Sequence, residues 1–242
     1  MKLSLLFLTV TALLLSSCAT TDLSLSESAE QDYLKGQSLF EDEQYSRATQ
    51  FLGKFIAKYP YSNYLIPAEL LRIKAAYQNH EYILSETLAS RFVDAHPTHP
   101  KRDYAEYTLG MSYFKQSESA QHEQIFSQKA KNTFVALNLR NPDNSFFQDV
   151  EKNIQTLTNR IAKHEMIIGK FYYERALYVG AINRLTMVKN KFPMSDIVAE
   201  SLYWLAASYL ALQQETYAQE IIQQLQTNYA GNEWQKKAEN LI

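Results

Sequence analysis

The sequence predicts an all-α fold, a right-handed α-solenoid of five tetratricopeptide-like helical hairpins. Glycine and proline number only 6 each among 242 residues, against average usage of about 7% and 5%, which disfavours a fold with many tight turns. Apolar residues recur at helical spacing after residue 29. A repeat of about 34 residues also recurs along the chain, and such a period is typical of solenoids.

Three windows match the tetratricopeptide pattern of small and bulky apolar residues without gaps: residues 162–195, 199–232 and 29–62. Two looser repeats lie between them, over residues 70–97 and, with an insertion, over residues 109–142. A single hairpin leaves an apolar face exposed, whereas five stacked hairpins bury a continuous core and present an extended surface to protein or peptide partners.

Glycine and proline mark the ends and crossings of the predicted helices. Three glycines occupy the position where the first helix of a repeat (helix A) crosses the second (helix B), and four prolines follow B helices: Gly36, Gly110, Gly169, Pro60, Pro97, Pro142 and Pro193. The stretch from Ser145 to Tyr173 has no proline and keeps helical spacing. It predicts one long helix that merges into the A helix of the fourth repeat.

Residues 1–17 read as a lipoprotein signal peptide, with one lysine, a leucine-rich run and small residues at the end. The run is shorter than the ~20 residues that a transmembrane helix needs. Leu15, Ser16 and Ser17 form the cleavage motif before Cys18, and this string resembles a bacterial lipobox. We therefore expect a covalent lipid on Cys18 as the membrane anchor, and a flexible tether over residues 18–28.

The remaining chemistry favours a binding protein over an enzyme. The single cysteine excludes an internal disulfide and a cysteine-based zinc cluster. No phosphate loop or hydrolase motif is present, and the closest histidines, His96 and His99, lie in a proline-bounded turn that we do not interpret as a metal site. The net charge of −2 gives no drive toward nucleic acid. We expect no catalytic residues, no metal and no cofactor.

Three segments of the sequence indicate a particular family of tetratricopeptide proteins. They are RFVDAHPTHPKRDYAEY at 91–107, IAKHEMIIGKFYYERALYVGAINRL at 161–185, and KYPYSNY at 58–64. With the lipobox and the repeats, they resemble the BamD family, lipoproteins of the β-barrel assembly machinery in Gram-negative outer membranes. The likeness runs from about Ala29 to the end of the chain. It implies a protein on the periplasmic face of the outer membrane that supports the folding and insertion of barrel proteins and hydrolyses nothing.

The resemblance also divides the chain by role. Repeats 1–2, residues 29–100, would face unfolded outer-membrane proteins. Repeats 3–5, residues 101–242, would bind the periplasmic POTRA domains of the insertase BamA. Other lipoprotein subunits of the complex are further implied partners.

Individual residues carry over where the strings match. Arg184 corresponds to the family arginine that pairs with an acidic group of the insertase, and Arg175 is a second candidate. Tyr59, Tyr61 and Tyr64 would line a pocket for the aromatic-ended terminal strand of a barrel protein. The alternatives are a plain surface arginine at Arg184 and core packing for at least one tyrosine.

Other readings stay open at this point. The segment KQSESAQHEQIFS, residues 115–127, departs from the family's third-repeat loop, so contacts made by that loop are in doubt. Another tetratricopeptide envelope lipoprotein, such as a secretin pilot or a cell-wall coordination scaffold, would share the lipobox and repeats without the fourth-repeat strings. A periplasmic enzyme acting on peptidoglycan would need a catalytic domain, for which the repeats leave no room.

Overall fold

A computed structural model describes residues 23–242, and the predictions for Leu15, Ser16, Ser17 and Cys18 lie outside these residues. The described chain forms eleven α-helices and one 3₁₀ turn. In order they are α1 (Ala29–Glu41), α2 (Tyr45–Lys58), α3 (Leu65–Gln78), α4 (Tyr82–Ala95), α5 (Arg102–Gln116), α6 (Ile125–Arg140), α7 (Phe147–Glu174), α8 (Tyr178–Lys191), α9 (Val198–Ala211), α10 (Glu215–Asn228), α11 (Glu233–Ala238) and the 3₁₀ turn Glu239–Leu241.

The first ten helices form five antiparallel hairpins, which confirms the predicted solenoid. Four of the five hairpin turns share one geometry, in which a non-glycine residue adopts positive φ: Glu43, His80, Ala176 and Gln213. The next residue then donates its N–H to the carbonyl five positions back, as Gln44 does to Leu39 at 2.9 Å. This is the Schellman arrangement, which satisfies the carbonyls left free at a helix end.

The crossing glycines lie where the sequence predicts. A Cβ at Gly36 would lie 2.6 Å from Leu52, and one at Gly169 would lie 2.7 Å from Leu185. Helices A and B of these repeats therefore approach too closely for any side chain. The four prolines each follow a B helix by two residues, where a missing N–H costs nothing.

Helix α7 is one uninterrupted helix of 28 residues, as predicted, although it begins two residues after Ser145. Its first half packs on α6 through Val150 and Leu157. Its second half, through Ala162 and Met166, joins the core of the last two repeats. Two core clusters therefore meet on one helix.

The apolar core is a row of local clusters, as expected when each repeat contacts only its neighbours. One cluster joins α3, α4 and α5 through Ile73, Phe92 and Leu109. The division predicted at residue 100 falls within the α4–α5 turn, across which these helices share a core. A boundary at residue 100 would therefore divide the chain by function only, because the helices on its two sides pack in the same core cluster.

The tether predicted over residues 18–28 does not extend to Ser28. We call residues 23–28 the N-terminal strap, because they pack along the first hairpin. Leu23 and Leu25 contact the core clusters of this hairpin. The Ser26 N–H donates to Asp32 Oδ1 at 2.8 Å, and the Ser26 carbonyl accepts from Lys58 Nζ at 2.6 Å. Leu23 and Leu25 are only partly buried, but their contacts with this hairpin give the strap a position that its polar composition does not predict.

The divergent loop between α5 and α6 is held by α7. His164 Nδ1 donates to the Ala120 carbonyl at 2.8 Å, and the guanidinium of Arg160 donates to Ser117 Oγ while lying over the Phe114 ring. The loop therefore has a fixed position. Within residues 23–242, no helix combines the length and apolarity needed to cross a bilayer.

Candidate protein-binding surfaces

An open groove of about 680 Å³ lies between helices α1, α3 and α5. Its apolar walls and its polar rim are formed by Tyr33, Ile66, Pro67, Leu70, Leu71, Tyr104, Asn63, Lys74, His99 and Lys101. Side chains from three successive A helices thus converge on one surface. Its size and apolar lining suit a large apolar or aromatic side chain of an extended peptide, with donors at the edge for the peptide backbone.

The three predicted substrate tyrosines border one shallow depression beside this groove. The three side chains differ in how many contacts they make with the rest of the chain. The Tyr59 hydroxyl lies 2.7 Å from the Ser26 carbonyl oxygen and 3.0 Å from Asp32 Oδ2, and it shares its single proton between these two acceptors. Tyr64 stacks on Tyr33 with ring centroids 5.1 Å apart, whereas Tyr61 is 98% exposed. The structure brings the three together, and their role toward a substrate stays a prediction.

A half-buried aromatic cluster that the sequence did not reveal lies where α3, α5 and α7 meet. The Tyr107 hydroxyl donates to Asp149 Oδ2 at 2.6 Å, and its ring stacks on Phe146 at 4.3 Å. Burial, with the nearby tyrosine Tyr82 and the charge of Asp149, raises the pKa of Tyr77 to about 12. Tyr107 and Asp149 are 42 positions apart, so spacing carries no signal for the pair.

Arg184, on α8, forms an ion pair within the chain. Its Nη1 lies 2.8 Å from Oε2 of Glu165 on α7. The arginine side chain is 38% exposed, and the glutamate only 16%. In the described part of the chain this is the one hydrogen bond that the guanidinium donates. An arginine has five N–H donors, so donors remain for a partner.

Arg175 caps α7, and its guanidinium carbon lies 3.5 Å from the centroid of the Phe171 ring. Phe171, Leu177 and Val179, which lie within four residues of Arg175 in the sequence, are 46%, 54% and 63% exposed. We call these four residues the α7–α8 turn patch. An arginine among exposed apolar side chains is a composition enriched at protein interfaces.

Within residues 23–242, no three histidine, cysteine, aspartate or glutamate side chains lie together in a way that could hold a metal ion. His96, from the proline-bounded turn, has its Nε2 2.9 Å from Glu69 Oε2 and its ring against Phe92. His99 Nδ1 instead accepts from the Lys101 N–H at 3.0 Å. Both histidines therefore have structural partners.

Known proteins resemble this chain over most of its length. The family YfiO, described as outer membrane lipoprotein, matches residues 26–237. A Rickettsia prowazekii protein named outer membrane protein assembly factor BamD is 26% identical over 210 residues, which cover 87% of this chain and 84% of that protein. The Neisseria gonorrhoeae protein of that name is 26% identical, with coverages of 90% and 88%. The Vibrio cholerae one is 24% identical, with coverages of 79% and 83%.

Among solved structures, a tetratricopeptide repeat protein from Parabacteroides merdae aligns with a TM-score of 0.41 at 12% identity, over 84% of this chain and 80% of that one. A tetratricopeptide repeat protein from Thermus thermophilus aligns with a TM-score of 0.39 at 12% identity, over 88% and 98%.

Proposed function

Because the chain belongs to the YfiO family of outer membrane lipoproteins, we propose that it is the lipid-anchored subunit that passes unfolded outer-membrane proteins to a BamA-type insertase. The family places it at the outer membrane with a role in outer-membrane protein assembly, as an accessory protein and not an enzyme. The observation that carries the finer proposal is the match over residues 26–237, which spans all five hairpins.

The substrate is proposed to occupy the groove between α1, α3 and α5. A barrel protein presents alternating apolar and aromatic side chains before it folds, and the groove offers apolar walls with lysines at its rim. Tyr61 and the stacked pair of Tyr33 and Tyr64 extend this surface toward the α2–α3 turn.

The POTRA domains are proposed to bind repeats 3–5 through Arg184, with Arg175 and the α7–α8 turn patch beside it. Glu165 holds the Arg184 guanidinium in one position, so less conformational entropy is lost when an acidic group of the partner binds. The apolar side chains of the patch would supply the desolvated area around it.

The anchor is proposed to be a lipid on Cys18, after removal of residues 1–17, with the chain on the periplasmic face. The alternative of a secretin pilot or cell-wall scaffold is disfavoured, because the relatives over most of the chain are assembly factors of outer-membrane proteins.

The test is to purify a tagged, lipidated chain from detergent-solubilised membranes of its host and to identify the stoichiometric partner by mass. Arg184→Glu alone is ambiguous, since it places a second carboxylate against half-buried Glu165. The swap Glu165→Arg with Arg184→Glu restores the internal pair and still alters the charge offered to the partner. Arg91→Glu, at an exposed arginine of α4, is the matched control.

We expect a POTRA-bearing barrel to copurify with the wild type and the control, and to be lost from both Arg184 variants. Removing one member of a buried interface ion pair costs about 2–5 kcal/mol, so affinity should fall more than about tenfold. Rescue by the swap would show that Arg184 acts only inside the chain. A secretin or a cell-wall enzyme as the main partner would overturn the function itself.

A further inference from the structure

The N-terminal strap binds the first hairpin with the alternation of a β-strand. Its sequence LSLSES places leucine and serine at alternate positions, and successive side chains of an extended segment point to opposite sides. Leu23 and Leu25 are half-buried and contact the core clusters of the hairpin, whereas Ser24 between them is exposed. The hairpin therefore contacts alternate side chains of this segment.

The hairpin also binds the main chain of the strap. Asp32 is buried, and its Oδ1 accepts the Ser26 N–H at 2.8 Å. Three lysines donate to strap carbonyls: Lys35 to Ser24 at 3.2 Å, Lys54 to Leu23 at 3.5 Å and Lys58 to Ser26 at 2.6 Å. Main-chain hydrogen bonds combined with pockets for alternate side chains are a recurring way to bind extended peptides. Such contacts suit other segments with the same alternation.

A strand of an unfolded barrel protein has this alternation. Strands of outer-membrane barrels alternate apolar and polar residues with a period of two, so they offer an apolar side chain at every second position. The site under the strap adjoins the surface proposed for the substrate, because Leu25 packs in the same cluster as Tyr33, Tyr59 and Tyr64. The strap thus covers part of one apolar surface that continues to the substrate tyrosines.

The strap is held by few contacts and can detach without removing the cap of α1. It lies outside the helices and contributes two half-buried leucines, and segments with few buried apolar contacts open at low free energy. The cap of α1 is Ser28, whose Oγ accepts the Gln31 N–H at 3.4 Å. Residues 23–26 precede this cap, so their release leaves it in place.

We propose that the strap is an internal competitor, which occupies a binding site for an extended, alternating segment of an unfolded outer-membrane protein. The substrate displaces residues 23–26 and takes their place on the first hairpin. The inference rests on the proposed substrate role and adds a site and its regulation. Because the apparent Kd is the intrinsic Kd divided by the fraction of open sites, a looser strap must strengthen substrate binding.

The test measures the sign of this effect with a model substrate. The probe is a fluorescein-labelled peptide of about ten residues, the length of one barrel strand, in which serine alternates with valine and phenylalanine. Its control peptide has the same composition with the apolar residues grouped together. Leu23→Ser with Leu25→Ser loosens the strap and keeps Ser28. Ile83→Ser with Leu139→Ser removes two exposed apolar side chains from α4 and α6 and is the matched control.

We expect the full lipidated chain with the loosened strap to bind the alternating peptide about tenfold more tightly than the wild type, which corresponds to about 1.4 kcal/mol. The control variant should bind as the wild type does, and the grouped peptide should gain no affinity. A strap that only supports the tyrosines would lower the affinity when it is loosened. Weaker or equal binding by the loosened variant would therefore overturn the competition.

Hydrogen exchange of the wild type tests displacement without any variant. The alternating peptide should speed exchange of the Ser26 N–H, because displacement removes its hydrogen bond to Asp32. Amides of α9, in the last repeat, should not change. Slower exchange at Ser26 would show that the peptide covers an intact strap, which contradicts the proposal.

The same measurements separate this inference from the proposed function. Equal binding of the alternating peptide to wild type and loosened variant, with unchanged exchange at Ser26, refutes the internal competition alone. Absence of binding to the wild type and to both variants refutes substrate capture by the first hairpin, and the role of the strap with it.

Discussion

At Gly110 the two helices of the third repeat approach so closely that an added methyl group decides stability. A Cβ there would lie 2.5 Å from Cε1 of Phe134, which is fully buried. We expect Gly110→Ala to lower the free energy of unfolding, because overpacking costs about 1–3 kcal/mol and improved helix propensity returns at most about 1 kcal/mol. Urea unfolding measures the difference.

Gly53→Ala is the matched control for this substitution. The Cβ at Gly53 would meet only the guanidinium end of Arg72, at 2.8 Å, and that flexible group can shift. We expect stability at or above that of the wild type. An equal loss in both variants would contradict the assignment of Gly110 as a crossing point.

Tyr107 makes the free energy of unfolding depend on pH under alkaline conditions. Burial first, and then the hydrogen bond to Asp149, raise the pKa of Tyr107 above its usual value, which is near 10 in the unfolded chain. The native state therefore keeps a proton that the unfolded state loses. This stabilisation is complete below about pH 10 and is lost as the pH rises toward the native pKa.

We expect Tyr107→Phe to flatten the fall of unfolding free energy above about pH 10, although the variant is less stable at neutral pH because the hydrogen bond is gone. Tyr61→Phe, at a side chain 98% exposed, should keep the wild-type slope. Chemical denaturation at a series of alkaline pH values gives both slopes. Identical slopes for wild type and Tyr107→Phe would refute the explanation.

Among the helices, α7 connects two parts of the solenoid, because its first half packs in the core cluster of the third repeat and its second half in the core cluster of the last two repeats. We expect Lys163→Pro, at an exposed position in the middle of α7, to cost about 3 kcal/mol or more, because proline removes a helix hydrogen bond and clashes with the preceding turn. Both tryptophans, Trp204 and Trp234, lie in the last repeat and α11. Their fluorescence should then change at a different denaturant concentration from the helical circular dichroism.

Lys163→Ala keeps the helix and removes the same charge. It should unfold with coincident transitions by the two probes, as two-state behaviour requires. Coincident transitions in Lys163→Pro as well would mean that α7 is not what couples the halves.

The elements also show where sequence reasoning stops. Repeat periodicity located the hairpins, and the missing proline located α7, because both follow from local helix chemistry. The polar composition of residues 23–28 predicts a tether, because it gives no sign of the contacts that Leu23 and Leu25 make with residues far along the chain. The anchoring of the α5–α6 loop by Arg160 and His164 is equally nonlocal.

For the whole molecule, the sequence predicts which residues belong to a binding surface but not which of them already have partners inside the chain. The repeats and the family strings pointed to a protein-binding solenoid and to Arg184. The internal partner Glu165 lies 19 positions away on another helix, so only packing reveals that the arginine is already paired. The same holds for the tyrosines, of which Tyr59 holds the strap while Tyr61 faces solvent.

The length of α7 has a mechanical consequence. At about 1.5 Å per residue its 28 residues form a strut about 42 Å long, and bending it would break hydrogen bonds at its centre. Flexing of the superhelix is therefore confined to the hairpin turns on either side. A force applied to the last two repeats would therefore be transmitted along this helix to the third repeat, so that the two parts of the solenoid would move together.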